Sequence, residues 1–194
     1  MDRWVISHTI DWLIQNPSEL KSLSVCSINL SGQSVGNPEI KDFIVKKLSA
    51  VNFPAEKLCF EITETAAISD ISYANELITT LKKYGCKFAL DDFGSGLSSF
   101  SYLKDMAVDY IKIDGIFVKD MLNVSSDKAI VKAISDVAKT TGKQTIAEYV
   151  ETQAVADELK RLGVEFAQGY CFDKPSPLVV EPHIVHDSTK EVKG

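Results

Sequence analysis

Six short apolar runs, each closing on a polar or charged residue, constrain this chain more than any other feature. They are "LSVCSINL" (Leu23–Leu30), "LCFEIT" (Leu58–Thr63), "KFALD" (Lys87–Asp91), "DYIKID" (Asp109–Asp114), "QTIAEYV" (Gln144–Val150) and a last run around Glu165–Gly169. Between them, apolar residues recur at helical spacing and predict helices over Asp2–Asn16, Pro38–Ala50, Ser69–Tyr84, Asp127–Thr141 and Thr152–Leu162, with a short one near Ser98–Lys104. Asn16-Pro17 stops the first helix, and Gly85, Gly142 and Gly163 stand just past three others, where a left-handed residue ends a helix. Apolar strands alternating with helices imply a parallel sheet covered by helices.

Such a sheet is either open and doubly wound or closed into a barrel. Neither the G-x-G-x-x-G fingerprint nor the G-x-x-x-x-G-K-[ST] phosphate loop is present. The polar residues favour a barrel. Asn29, Glu61, Asp91, Lys112 and Glu148 each fall at or near the C-terminal end of a different strand, and in a (β/α) barrel those ends converge on one functional rim. Side chains alternate along a strand, so Glu61 shares a face with Cys59, Asp91 with Ala89, and Glu148 with Ile146. A charge above small or apolar residues is what an inward-facing rim position requires. Asp91 is therefore expected to point into the barrel mouth, and Asp92 to bend over its rim.

Net charge of −6 and a pI near 5.1 argue against a DNA-binding or anionic-membrane surface. No apolar run approaches the ~20 residues of a membrane span, and the N-terminus has no signal-peptide pattern. Cys26, Cys59, Cys86 and Cys171 are widely spaced, which suits free thiols in a reducing cytoplasm. His8, His183 and His186 form no ligand-spaced group. From Pro175 onward the chain is proline-punctuated and then charged, so residues 1–177 are read as one domain and 178–194 as a tail.

Four carboxylates (Glu61, Asp91, Asp92, Glu148), the Asn29 amide and the Lys112 ammonium make a hard-oxygen set that suits Mg²⁺ or Mn²⁺ rather than zinc. Adjacent aspartates suit two ions about 3.5–4 Å apart, a spacing that supports in-line phosphoryl displacement. Lys112 would hold the attacking water or a phosphate oxygen. Taken singly, these residues have plainer readings. Lys112 and Asp114 could be a solvated strand-end pair, and Glu61 with Glu64 an acidic helix start. Their recurrence on successive strand ends is what favours a site.

The consecutive segments "INLS", "FEITET", "ALDDFGSGLSSFSYL", "DYIKID", "AIVKAI", "TIAEYVET" and "GVEFAQGY" resemble the EAL domain family over about Met1–Pro177. That resemblance implies a modified (β/α) barrel and metal-dependent hydrolysis of cyclic di-GMP to linear pGpG. It implies Asn29, Glu61 and Asp91 as metal ligands, Asp91 with Asp92 as the metal-bridging pair, and Lys112 beside the attacking water. Glu148 matches a glutamate acting as ligand or general base. Glu64 matches a residue that steadies the loop after the paired aspartates, while Glu151 and Gln168 match further pocket residues. Leu97 stands where Tyr is common, and Tyr149 where Gly or Phe is common.

The Glu-Ala-Leu motif that names the family, whose Glu is a metal ligand, occurs nowhere in the chain. "MDRWV" resembles the helix following that motif, and six strands are visible where a barrel needs eight. About two strands and a helix are thus expected to lie upstream, leaving one metal ligand absent. The alternative function is a catalytically silent cyclic di-GMP receptor or interaction module. Self-association is expected through the open seam or the segment after "DDFGSG". An upstream sensor or GGDEF domain is compatible with this arrangement.

Overall fold

The computed structural model describes residues 1–95 and 100–177. Six strands form one parallel sheet in sequence order: β1 Cys26–Leu30, β2 Leu58–Thr63, β3 Lys87–Phe93, β4 Tyr110–Ile113, β5 Gln144–Ala147 and β6 Phe166–Ala167. The connections contain α1 Asp2–Gln15, α2 Pro17–Ser22, α3 Gly32–Val35, α4 Pro38–Ala50, α5 Glu64–Ser69, α6 Ile71–Lys82, α7 Gly115–Val118, α8 Ser125–Thr140 and α9 Gln153–Leu162. Short 3₁₀ turns cover Ala55–Lys57 and Phe100–Lys104. Strand order that follows chain order, with helical crossovers, is the barrel pattern, here with β1 and β6 as unpaired edges among the described residues.

The sheet's two faces hold separate clusters. Phe60, Ile62, Phe88, Leu90, Phe93, Ile111, Ile113 and Ala147 face the helices and join Ile6, Ile10, Ile44, Leu77, Ile78, Leu81 and Ile134 in the main core. The helical contributors recur every three or four residues, as an apolar stripe must. On the other face, Cys59, Ala89 and Tyr110 form a small cluster with Val25 and Ile146 against it. This is the barrel interior; the alternation read from the sequence assigns Cys59, Ala89 and Ile146 to it, and Tyr110 and Val25 join them. Burial pushes the Cys59 and Cys86 thiols up to about 12, so neither is a reactive thiolate.

Local chemistry shifts several boundaries. The first strand starts at Cys26 rather than Leu23, because Pro17 occupies the first turn of α2 and the chain stays helical to Ser22. The single helix expected over Ser69–Tyr84 is α6 alone, preceded by a separate α5. Thr63 caps α5 through Ala66 N, and Asp70 caps α6 through Tyr73 N. The strand containing Asp91 continues to Phe93, whereas those before Asp114 and Glu148 end at Ile113 and Ala147. The short helix expected from Ser98 is a 3₁₀ turn over Phe100–Lys104, with Ser98 outside the described residues, as are Leu97 and 178–194.

Candidate active site

The rim is organised around one buried ammonium. Lys112 Nζ lies 2.7 Å from Glu61, 2.8 Å from Asp91 and 2.8 Å from Glu148, bridging β2, β3 and the segment after β5. Its side chain is 4% exposed, against 6% for Glu61, 13% for Asp91 and 19% for Glu148, so this cluster is largely shielded from water. Burial alone would lower the lysine. The hydrogen bonds it donates to Asp91, Glu148 and Glu61 outweigh burial and hold the ammonium above its ordinary range.

Sheet register explains the convergence. Glu61 is opposite Ala89, Ala89 is opposite Tyr110, and Lys112 is opposite Ile146, so all lie on the interior face with Asp91 two residues beyond Ala89. Between Leu90 and Phe93 the pairing with β4 slips by one residue: Leu90 pairs with Ile111, but Phe93 with Ile113. Two aspartates thus occupy the space of one, a β-bulge of the kind that re-aims side chains. Asp92 takes φ 55°, in the left-handed region that Asp tolerates better than most residues, and its N–H donates to Asp91 Oδ1 at 3.1 Å. Carboxylate oxygens of Asp91, Asp92 and Glu148 consequently lie within 4.8 Å of one another. Burial, then repulsion from Asp91 and Asp114, raises Asp92 above the usual carboxylate value. Burial, offset by Lys112 and aided by Asp91 and Asp92, raises Glu148 as well.

Supporting residues are placed around this cluster. Gln168 donates to Glu148 Oε1 at 2.8 Å. Glu64, 3% exposed, accepts from Gly94 N at 3.2 Å and from the Tyr102 hydroxyl, tying the chain beyond the paired aspartates to α5. Asp114 caps α7 by accepting from Ile116 N at 3.0 Å, so its carboxylate is committed to the backbone. Asn29 is exposed at the end of β1, directly opposite Glu61 in the register, and Glu151 is exposed beyond β5.

A cleft of about 710 Å³ opens beside Glu148, walled by Asp114, Tyr149, Glu151, Gln168 and Tyr170. Tyr149 adopts φ 58°, unfavourable for an aromatic residue, and is 56% exposed. Gly115 makes room for it: a Cβ there would sit 2.7 Å from that of Tyr149. Tyr170 and Lys174, whose ammonium lies 5.2 Å from the Tyr170 ring centroid, complete the far wall. Spacing alone did not reveal Tyr170, Lys174 or the Tyr102–Glu64 contact. Tyr149, which stands where Gly or Phe is common, was the one visible signal near this cleft.

A parallel barrel sheet with clustered carboxylates at its C-terminal rim defines a (β/α) barrel carrying its site at the usual end of that fold. The chain belongs to the EAL domain family, whose model matches residues 1–175. It is 44% identical over 178 residues to a Shewanella oneidensis protein named cyclic di-GMP phosphodiesterase PdeB, covering 92% of this chain and 21% of that protein. It therefore spans about a fifth of that relative's length. Among solved structures, it resembles a PaMucR phosphodiesterase in complex with c-di-GMP, with TM-score 0.81, 29% identity and coverage of 91% of this chain and 71% of that one. It also resembles the FimX EAL domain from Pseudomonas aeruginosa bound to c-di-GMP, with TM-score 0.78, 32% identity and coverage of 90% and 69%.

Proposed function

We propose that this chain carries the catalytic rim of a phosphodiesterase that opens cyclic di-GMP to linear pGpG. The observation supporting it best is the Asp91–Asp92–Glu148 carboxylate group beside buried Lys112, at the edge of a cleft large enough for a nucleotide. The donor set is all hard oxygen and closely spaced, which fits Mg²⁺ or Mn²⁺. Asn29, Glu61, Asp91, Asp92 and Glu148 are the residues that would hold such ions. Bound there, the ions would polarise the phosphate oxygens and lower the pKa of a coordinated water.

The chain's own groups have distinct tasks. Glu148, whose carboxyl burial holds above the usual carboxylate range, accepts a proton from the attacking water. The water oxygen forms the new bond to phosphorus, the O3′–P bond breaks with its electron pair going to O3′, which takes a proton from solvent, and the ring opens with a 5′-phosphate on the linear product. Lys112 offsets the charge gathered on the phosphate oxygens. Asp92 would share the metal-holding task with Asp91, Gln168 orients Glu148, and Glu64 holds Gly94 in place behind the aspartates. Asp114 and Glu151 line the substrate cleft.

One observation favours a silent cyclic di-GMP receptor instead. Lys112 already pairs with Glu61, Asp91 and Glu148, so part of the rim's negative charge is offset without any ion. Incubation with Mn²⁺ and cyclic di-GMP, followed by chromatography, separates the readings. Appearance of pGpG supports the enzyme; calorimetric binding without turnover supports the receptor. The free thiols Cys59 and Cys86 suit a cytoplasmic setting. The β1 and β6 edges, unpaired among the described residues, and the 47%-exposed Phe166 suit homodimerisation.

A further inference from the structure

Four lysines converge at the end of the sheet opposite the carboxylate rim. Lys87 opens β3, Lys143 immediately precedes β5, Lys82 ends α6 and Lys104 ends the second 3₁₀ turn. Together with Asp105 and Asp109 they line a cavity of about 590 Å³. In a chain of net charge −6, this is a local reversal of sign.

The two aspartates leave much of that charge uncompensated. Asp109 is committed: one oxygen pairs with Lys82 at 2.5 Å, and the other accepts from Phe88 N at 2.9 Å. Lys87 donates to the Tyr110 hydroxyl at 3.1 Å and lies 5.6 Å from that ring's centroid. Lys143 is 7% exposed, and its ammonium donates to a single carbonyl, Thr141 O, at 3.3 Å. Among the described residues, Lys87, Lys104 and Lys143 form no ion pair with a carboxylate. A buried cation without a counter-charge is costly unless something supplies one.

The negative end of α8 supplies part of it, because Thr141 lies just past that helix. That accounts for one tolerated cation. It does not account for Lys82, Lys87 and Lys104 lining the same cavity. Burial and the field of Lys82 hold the Lys143 ammonium below its ordinary range, a strain that a bound anion would relieve.

We propose that this basal cavity binds a small phosphate-type oxyanion, held chiefly by Lys143 with Lys87 and Lys104. Lysine suits the task as a flexible point charge with three donors. The shared chemistry is a tetrahedral phosphoryl group, available as the inorganic ion or as a phosphomonoester.

The test is calorimetric titration of the full chain, in EDTA, with inorganic phosphate and separately with glycerol 3-phosphate. Saturable binding of at least one probe is expected, weakened at least tenfold in Lys143→Met and retained when cyclic di-GMP is present. The stronger probe identifies the source. Absence of saturable binding by both, equal binding in Lys143→Met, or displacement by cyclic di-GMP would each overturn the proposal. If Lys143→Met does not fold, exposed Lys104→Met decides: several-fold weaker binding supports the site, and unchanged binding overturns it.

Discussion

Replacing Lys112 with Met tests the reading of the rim most directly. The substitution keeps the length and apolar stem of the side chain but removes the one ammonium shared by Glu61, Asp91 and Glu148 at 2.7–2.8 Å. Three carboxylates, none more than 19% exposed, would then face each other without a counter-charge. Breaking a buried pair by removing one partner costs about 3–5 kcal/mol. Against a total stability of about 5–15 kcal/mol for a domain, that is a large fraction. Urea unfolding in EDTA should show this loss at neutral pH. The loss should shrink as pH falls through the carboxylate range, since protonation relieves the repulsion. Adding Mn²⁺ should restore more stability to the variant than to the parent, because an ion there would replace the missing charge. A loss under about 1 kcal/mol, with equal Mn²⁺ effects on both proteins, would refute the idea that Lys112 is the rim's electrostatic keystone.

Asp91→Asn should abolish calorimetric Mn²⁺ binding in a chain that remains folded; an unchanged titration rejects the proposed ligand set. Glu64→Gln removes the charged acceptor of Gly94 N and should destabilise the chain by about 1–3 kcal/mol while lowering turnover, measured by thermal unfolding and nucleotide chromatography. Gly169→Ala should be severe, because a Cβ there would lie 2.4 Å from Val150 N and O; a far-ultraviolet spectrum and melting curve like the parent's would contradict that. Lys143 supplies a pH test. Its folded value lies below the 10.5 of the free side chain, so the unfolded chain binds more protons across that window and stability from this group rises with pH. A stability advantage of Lys143→Met near neutrality should therefore narrow as pH approaches 10.5, and a widening gap in melting temperature contradicts the burial argument.

Periodicity made the sheet, its parallel sense and the identity of its two faces legible, because strand alternation and helical stripes are both local patterns. Cys59, Ala89 and Ile146 were assignable to the interior two residues below their charged partners for that reason. Boundaries were less legible where side-chain caps decide them, as Asp70 does between α5 and α6. Glu61, Asp91, Lys112 and Glu148 could be nominated from strand ends, but their common contact with one ammonium depends on distances between strands. The nearness of Asp92 to Asp91 and Glu148 depends on the bulge and φ 55°, which arise from pairing with β4 and have no local pattern in the sequence. Tyr170 and Lys174 lie on no helix or strand, so periodicity carries no signal for them.

The register slip in β3 gives the paired aspartates an unusual genetic property. Asp92 is the supernumerary residue of the strand: without it, Phe93 would follow Asp91 directly and meet Ile113 in ordinary alternation. An in-frame loss of that one codon should therefore yield a regular strand, with Phe93 still among the helices and only a single aspartate at the rim. Substitution to Asn keeps the left-handed backbone and discards the charge; deletion discards both. A rim with two adjacent carboxylates and a regular strand with one thus differ by a single codon whose loss leaves the hydrophobic layers in phase.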